Sequence, residues 1–102
     1  MTAARLPQAR LVRAMMEAIQ PHVRRLALDI QGAAQVTRMT APADANTLDI
    51  TAGEVTEAHR SLADAIGCLD DAITGLETVA LSEAHPDASD EEFEALLAGM
   101  GR

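Results

Sequence analysis

Two apolar stripes, each with spacings that alternate between 4 and 3, constrain this chain more than any other feature of its sequence. Val55, His59, Leu62, Ile66, Leu69, Ile73, Leu76 and Ala80 form one, and Val12, Met16, Ile19, Val23, Leu26, Ile30 and Ala33 form the other. A repeat of about 3.5 residues places each set along one edge of an α-helix and requires a second helix to cover it. The pattern predicts helix 1 over about 7–39 and helix 2 over about 52–84. Thr51-Ala-Gly-Glu54 has the form of a capping box at the start of helix 2, and Pro86 lies just past its end. Residues 40–52 contain turn formers without a helical period, which predicts a loop. Pro21 offers no N–H to the carbonyl of Glu17, so a kink is expected near Pro21.

Two helices of similar length joined by a loop predict an all-α antiparallel hairpin. With Thr40 opposite Gly53, opposing residue numbers add to about 93, and unlike charges then meet along the whole length. Arg10 falls near Glu83, Arg13 near Glu77 to Ala80, Arg24 and Arg25 near Asp70 and Asp71, and Arg38 near Glu54 and Glu57. Ala58, Ala65, Ala72 and Val79 run beside the second stripe, flanked by Ser61, Cys68 and Gly75. That small-residue row widens the apolar face beyond what one hairpin covers. A homodimer forming a four-helix bundle is therefore expected, with Val55, His59, Leu62, Ile66, Leu69, Ile73 and Leu76 as its seam.

A chain of 102 residues is one domain by size and builds only a modest core. It contains no Trp or Tyr and a single Phe, so its interior must be aliphatic, which again favours helices. Six arginines face two acids in residues 1–40, whereas fourteen acids face two arginines in residues 41–102, giving a net charge of −8. A chain so acidic lacks the clustered cations that hold a phosphate backbone, and direct nucleic-acid binding is not expected. No apolar run is long enough for a membrane span, and the N-terminal arginines do not fit a signal peptide. The expected location is cytoplasmic.

Chemistry-bearing motifs are missing. The chain has no Gly-rich phosphate loop and no nucleophile with a base beside it, so it is not expected to be an enzyme and no cofactor is implied. Cys68, among small residues, is expected to be a buried small hydrophobe. His22 and His59 fall far apart in the hairpin register, and Glu57-Ala-His59 lacks the i, i+3 spacing of a helical metal pair, so no metal ligands are assigned. His59 is read as a polar seam residue that fixes register.

The tail carries the strongest functional signal. Ser89 and Glu92 repeat the capping-box pattern, predicting a short helix over about 90–99 on which Phe93, Leu96, Leu97 and Met100 form one apolar edge. So short a helix must dock, either on its own bundle or in the groove of another protein. Phe93, Leu96, Leu97 and Met100, with Asp64 and Asp71 on the acidic face of helix 2, are the candidate partner-binding residues. These features point to a small non-enzymatic interaction module for a protein partner: an adaptor, assembly chaperone or anti-activator, or an acidic inhibitor of a basic target. The competing class is a metal- or ligand-binding bundle built on the seam histidines and nearby carboxylates.

Overall fold

The computed structural model describes residues 2–100. After a 3₁₀ turn at Ala3–Arg5, helix α1 covers Leu6–Thr37, α2 covers Pro42–Ala84 and α3 covers Asp90–Gly99. The described residues are all-helical, with no strand, and the two long helices pack against each other. No helix among them is long and apolar enough to cross a membrane. Helix α1 runs on through Pro21, so the chain keeps one helix there.

The expected loop over 40–52 is corrected to a four-residue reversal. Thr40 N–H and Ala41 N–H donate to the carbonyl of Thr37 at 3.1 and 2.8 Å, and α2 begins at Pro42. Proline suits a first helical position because its missing N–H would have no partner there, and Asp44 lies in the first turn beside the positive end of the helix. Thr51 does not cap a helix. Its hydroxyl donates to the carbonyl of Thr47 at 2.9 Å, one turn back in a helix already under way.

The longer α2 moves the hairpin register by close to one heptad. Arg10 pairs with Glu77 at 3.5 Å and Arg38 pairs with Asp49, and the residue numbers of both pairs add to 87. Arg13 pairs with Asp70. Arg25 pairs with Asp29 on its own helix at 3.3 Å. The antiparallel sense expected from the charges holds, and the specific partners change.

Contacts divide the chain into two units: residues up to Arg13 with those from Cys68 onward, and Ala14–Gly67. In the second unit the most buried side chains are mostly alanines. Ala34 and Ala45 are 0% exposed, Ala52 is 1% exposed, and Ala27 is buried with them. Alanines seven residues apart on each helix let the backbones approach closely. The expected α1 stripe is consequently split: Met16, Val23 and Ile30 are half-buried, whereas Val12, Ile19, Leu26 and Ala33 are exposed. Their places in the contact are taken by Arg13, Gln20, Ala27 and Ala34, each one position later. Side chains larger than alanine at positions 27 and 34 would hold the helices apart.

In the first unit the Thr2 hydroxyl donates to Glu83 Oε1 at 2.7 Å, and the Thr2 N–H donates to Oε2 at 3.3 Å. The hydroxyl bond leads in holding the Glu83 carboxyl below its ordinary value. A lowered carboxylate pKa means a contact fully present above the ordinary value and lost as pH falls through the lowered one. In a carbon-detected NMR titration, Thr2→Ala should therefore move the Glu83 midpoint upward.

Two exposed and buried alanines test the seam directly. Ala34→Leu should overpack the contact and cost about 1 to 3 kcal/mol, whereas Ala18→Leu, on the exposed side of α1, should change stability by less than about 0.5 kcal/mol. Thermal melts of the two variants measure the difference.

Candidate interaction surfaces

An antiparallel hairpin has two flanks, because residues on one side of the α1 seam meet only those on the same side of α2. One flank carries the charges. It holds the row Arg10, Glu17, Arg24, Gln31 and Arg38 on α1 and the row Asp49, Thr56, Ala63, Asp70 and Glu77 on α2. The cross-helix ion pairs Arg10–Glu77 and Arg38–Asp49 both lie there. All of these groups are at least partly exposed, so each pair contributes under about 1 kcal/mol and acts mainly on register.

The other flank is apolar and largely exposed. In the unit Ala14–Gly67, α1 displays Met15 at 56% exposure, Ile19 at 50%, Leu26 at 52% and Val36 at 80%. Along α2 the same flank offers the exposed Ala58 and Ser61 and the half-buried Ala65. A row of large side chains thus runs beside a row of small ones. In the other unit, Val12 on α1 and Ala72, Gly75 and Val79 on α2 are exposed. Cys68 is exposed as well, contrary to the expectation of a buried thiol. Its position in this row explains the difference, since the row lies beside the helix contact and outside it.

The stripe expected as an oligomer seam lies within the chain's own helix contact. Ile66 is buried, and Val55, His59, Leu62, Leu69, Ile73 and Leu76 are half-buried. Sequence reasoning missed this because it took the 4–3 stripe of α1 as one seam; the alanine ladder Ala27, Ala34, Ala45 and Ala52 was the signal that could have located the true contact.

Helix α3 begins as expected. Ser89 is its N-cap, accepting a hydrogen bond from Glu92 N–H at 3.2 Å, and Asp90, Glu91 and Glu92 occupy the first turn. Phe93, Leu96 and Leu97 are half-buried, Met100 is exposed, and no side chain of α3 is fully buried. The helix belongs to the unit containing the N-terminal segment and the end of α2. Asp64 and Asp71 are exposed and make no ion pair among the described residues. Both lie on α2, Asp64 in the unit Ala14–Gly67 and Asp71 in the unit that contains α3.

His22 is exposed and His59 half-buried, and no three His, Cys, Asp or Glu side chains among the described residues are placed to hold a metal ion. Comparison with protein families, curated proteins and solved structures finds no match to this chain.

Removing the α3 cap gives a local test. Ser89→Ala should cost about 1 kcal/mol of helix stability. The expected result is faster amide exchange at Glu92 and Phe93, with exchange in the middle of α2 unchanged.

Proposed function

We propose that the protein is a small non-enzymatic interaction module of the adaptor, assembly-chaperone or anti-activator type, acting in the cytoplasm as a homodimer. Two hairpins meet through their apolar flanks as a four-helix bundle, leaving the charged flanks, the acidic face of α2 and helix α3 for a protein partner. The observation that carries this reading is the apolar flank, where Met15, Ile19, Leu26 and Val36 stand exposed beside a row of small residues. Side chains of that size rarely gather on the free surface of a monomer.

Size complementarity favours a second copy as the occupant. With a two-fold axis between hairpins, the large row of one α1 lies on the small row of the other α2, and each contact occurs twice. The unpaired carboxylates Asp64 and Asp71 suit a basic partner surface, which supports the acidic-inhibitor variant of the same reading.

Light scattering at tens of micromolar should return twice the 10.8 kDa chain mass. Ile19→Glu with Leu26→Glu should return a single chain, whereas Leu28→Glu, on the charged flank, should leave the dimer intact. A wild-type mass of one chain, with a cooperative melt, would sink the dimer. For the partner surface, Phe93→Ala with Leu97→Ala should abolish capture of a bound protein while the dimer mass persists. Equal capture would move the contact to Asp64 and Asp71.

A further inference from the structure

In a chain with sixteen acids to eight arginines, carboxylates are available to nearly every cation. Arg10, Arg13, Arg25, Arg38 and Arg60 each have one. Among the described residues Arg24 makes no ion pair, although it sits in the same α1 row as Arg10 and Arg38. The register explains why. Residues whose numbers add to 87 face each other along this row, and the position opposite Arg24 is Ala63. Where the pattern would place a carboxylate, the chain has a methyl group.

Beside Arg24 the surface is hollow. One open cavity of about 520 Å³ is lined by Gln20, Pro21, Arg24, Arg25, Leu28 and His59. A second, of about 230 Å³, shares Arg24, Leu28 and His59 and adds Ala27, Gln31 and Thr56. Both lie within the unit Ala14–Gly67. Neither has an acid in its wall. The larger has the volume of a small-molecule site. Ala27, Leu28 and Pro21 supply apolar surface, while Arg24, Gln20, Gln31 and the half-buried His59 supply hydrogen-bond donors.

We propose that this groove binds a small organic carboxylate, with its carboxyl group on Arg24 and its apolar body against Leu28 and Pro21. A guanidinium takes a carboxylate through two parallel N–H donors, and here no internal acid competes for them. Arg25 stands at the rim, its side chain partly engaged with Asp29 at 3.3 Å. His59, read from sequence as a register residue, adds a donor at the groove's inner edge. The site lies on the charged flank, so ligand and second copy do not compete for the same surface.

Hexanoate, its uncharged analogue hexanamide and inorganic phosphate test the site, titrated into the intact protein and followed by two-dimensional NMR. Hexanoate should give saturable shifts at Arg24, Leu28 and His59, with binding at least about tenfold tighter than hexanamide. Arg24→Gln, an exposed change that leaves the fold intact, should remove that preference, and Arg24→Lys should restore only part of it. Shifts that never saturate, equal binding of the amide, an unaffected Arg24→Gln, or phosphate binding as tightly as hexanoate would each overturn the proposal. A monomeric mass with saturable hexanoate binding would refute the dimer alone.

Discussion

The close contact between α1 and α2, made on alanine, sets the terms for the rest of the structure. Ala27 and Ala34 on one helix, and Ala45 and Ala52 on the other, are the most buried side chains of their unit, followed by Ile66. A methyl group contributes about 0.8 kcal/mol when buried, so four of them together contribute roughly what a large aliphatic pair would. Close approach is gained at the expense of core volume. No large side chain is fully buried in the described chain. The bulky residues that a larger core would have enclosed stand instead on the flank of α1.

That displacement divides the hairpin by chemistry. On one flank, ion pairs between α1 and α2 hold the register and keep the surface wetted. The other flank carries no arginine in its rows, and Ile19 and Leu26 lie on it. Charge on one side makes association there costly to desolvate, whereas the apolar side gains from it. An apolar flank and a charged flank therefore follow from the same heptad arrangement. The gap opposite Arg24 is an interruption of the charged row, and a groove with donors and without acids lies where the missing carboxylate would have been.

Helix type and antiparallel sense were legible because they rest on periodicity and on charge sign, which survive a shift of register. The short α3 was legible because Ser89 and Glu92 specify a cap locally. The start of α2 was not, because Pro42, Asp44 and Asn46 read equally as turn residues and as a helix N-terminus. The hydrogen bonds of Thr40 and Ala41 to Thr37, with that of Ala45 to Ala41, resolve them as a helix N-terminus. The true edge of α1 was hidden for a different reason: hydrophobicity ranks Ile19 and Leu26 above Ala27 and Ala34, whereas close packing selects the smaller pair. His59 lies in the helix contact, as its stripe implied, and its place beside Arg24 became visible only once the register was known.

The dependence of the melting temperature on protein concentration tests the central claim, that the hairpin relies on a second copy to cover its apolar flank. A fold stabilised by self-association gains about 2.7 kcal/mol for each hundredfold rise in concentration, which for a chain of this size is a rise of several degrees or more. Melts from one to one hundred micromolar should show that rise as a single cooperative transition. A sharp transition at one temperature across the whole range would contradict it, because the hairpin would then be stable as a monomer with its apolar flank in water.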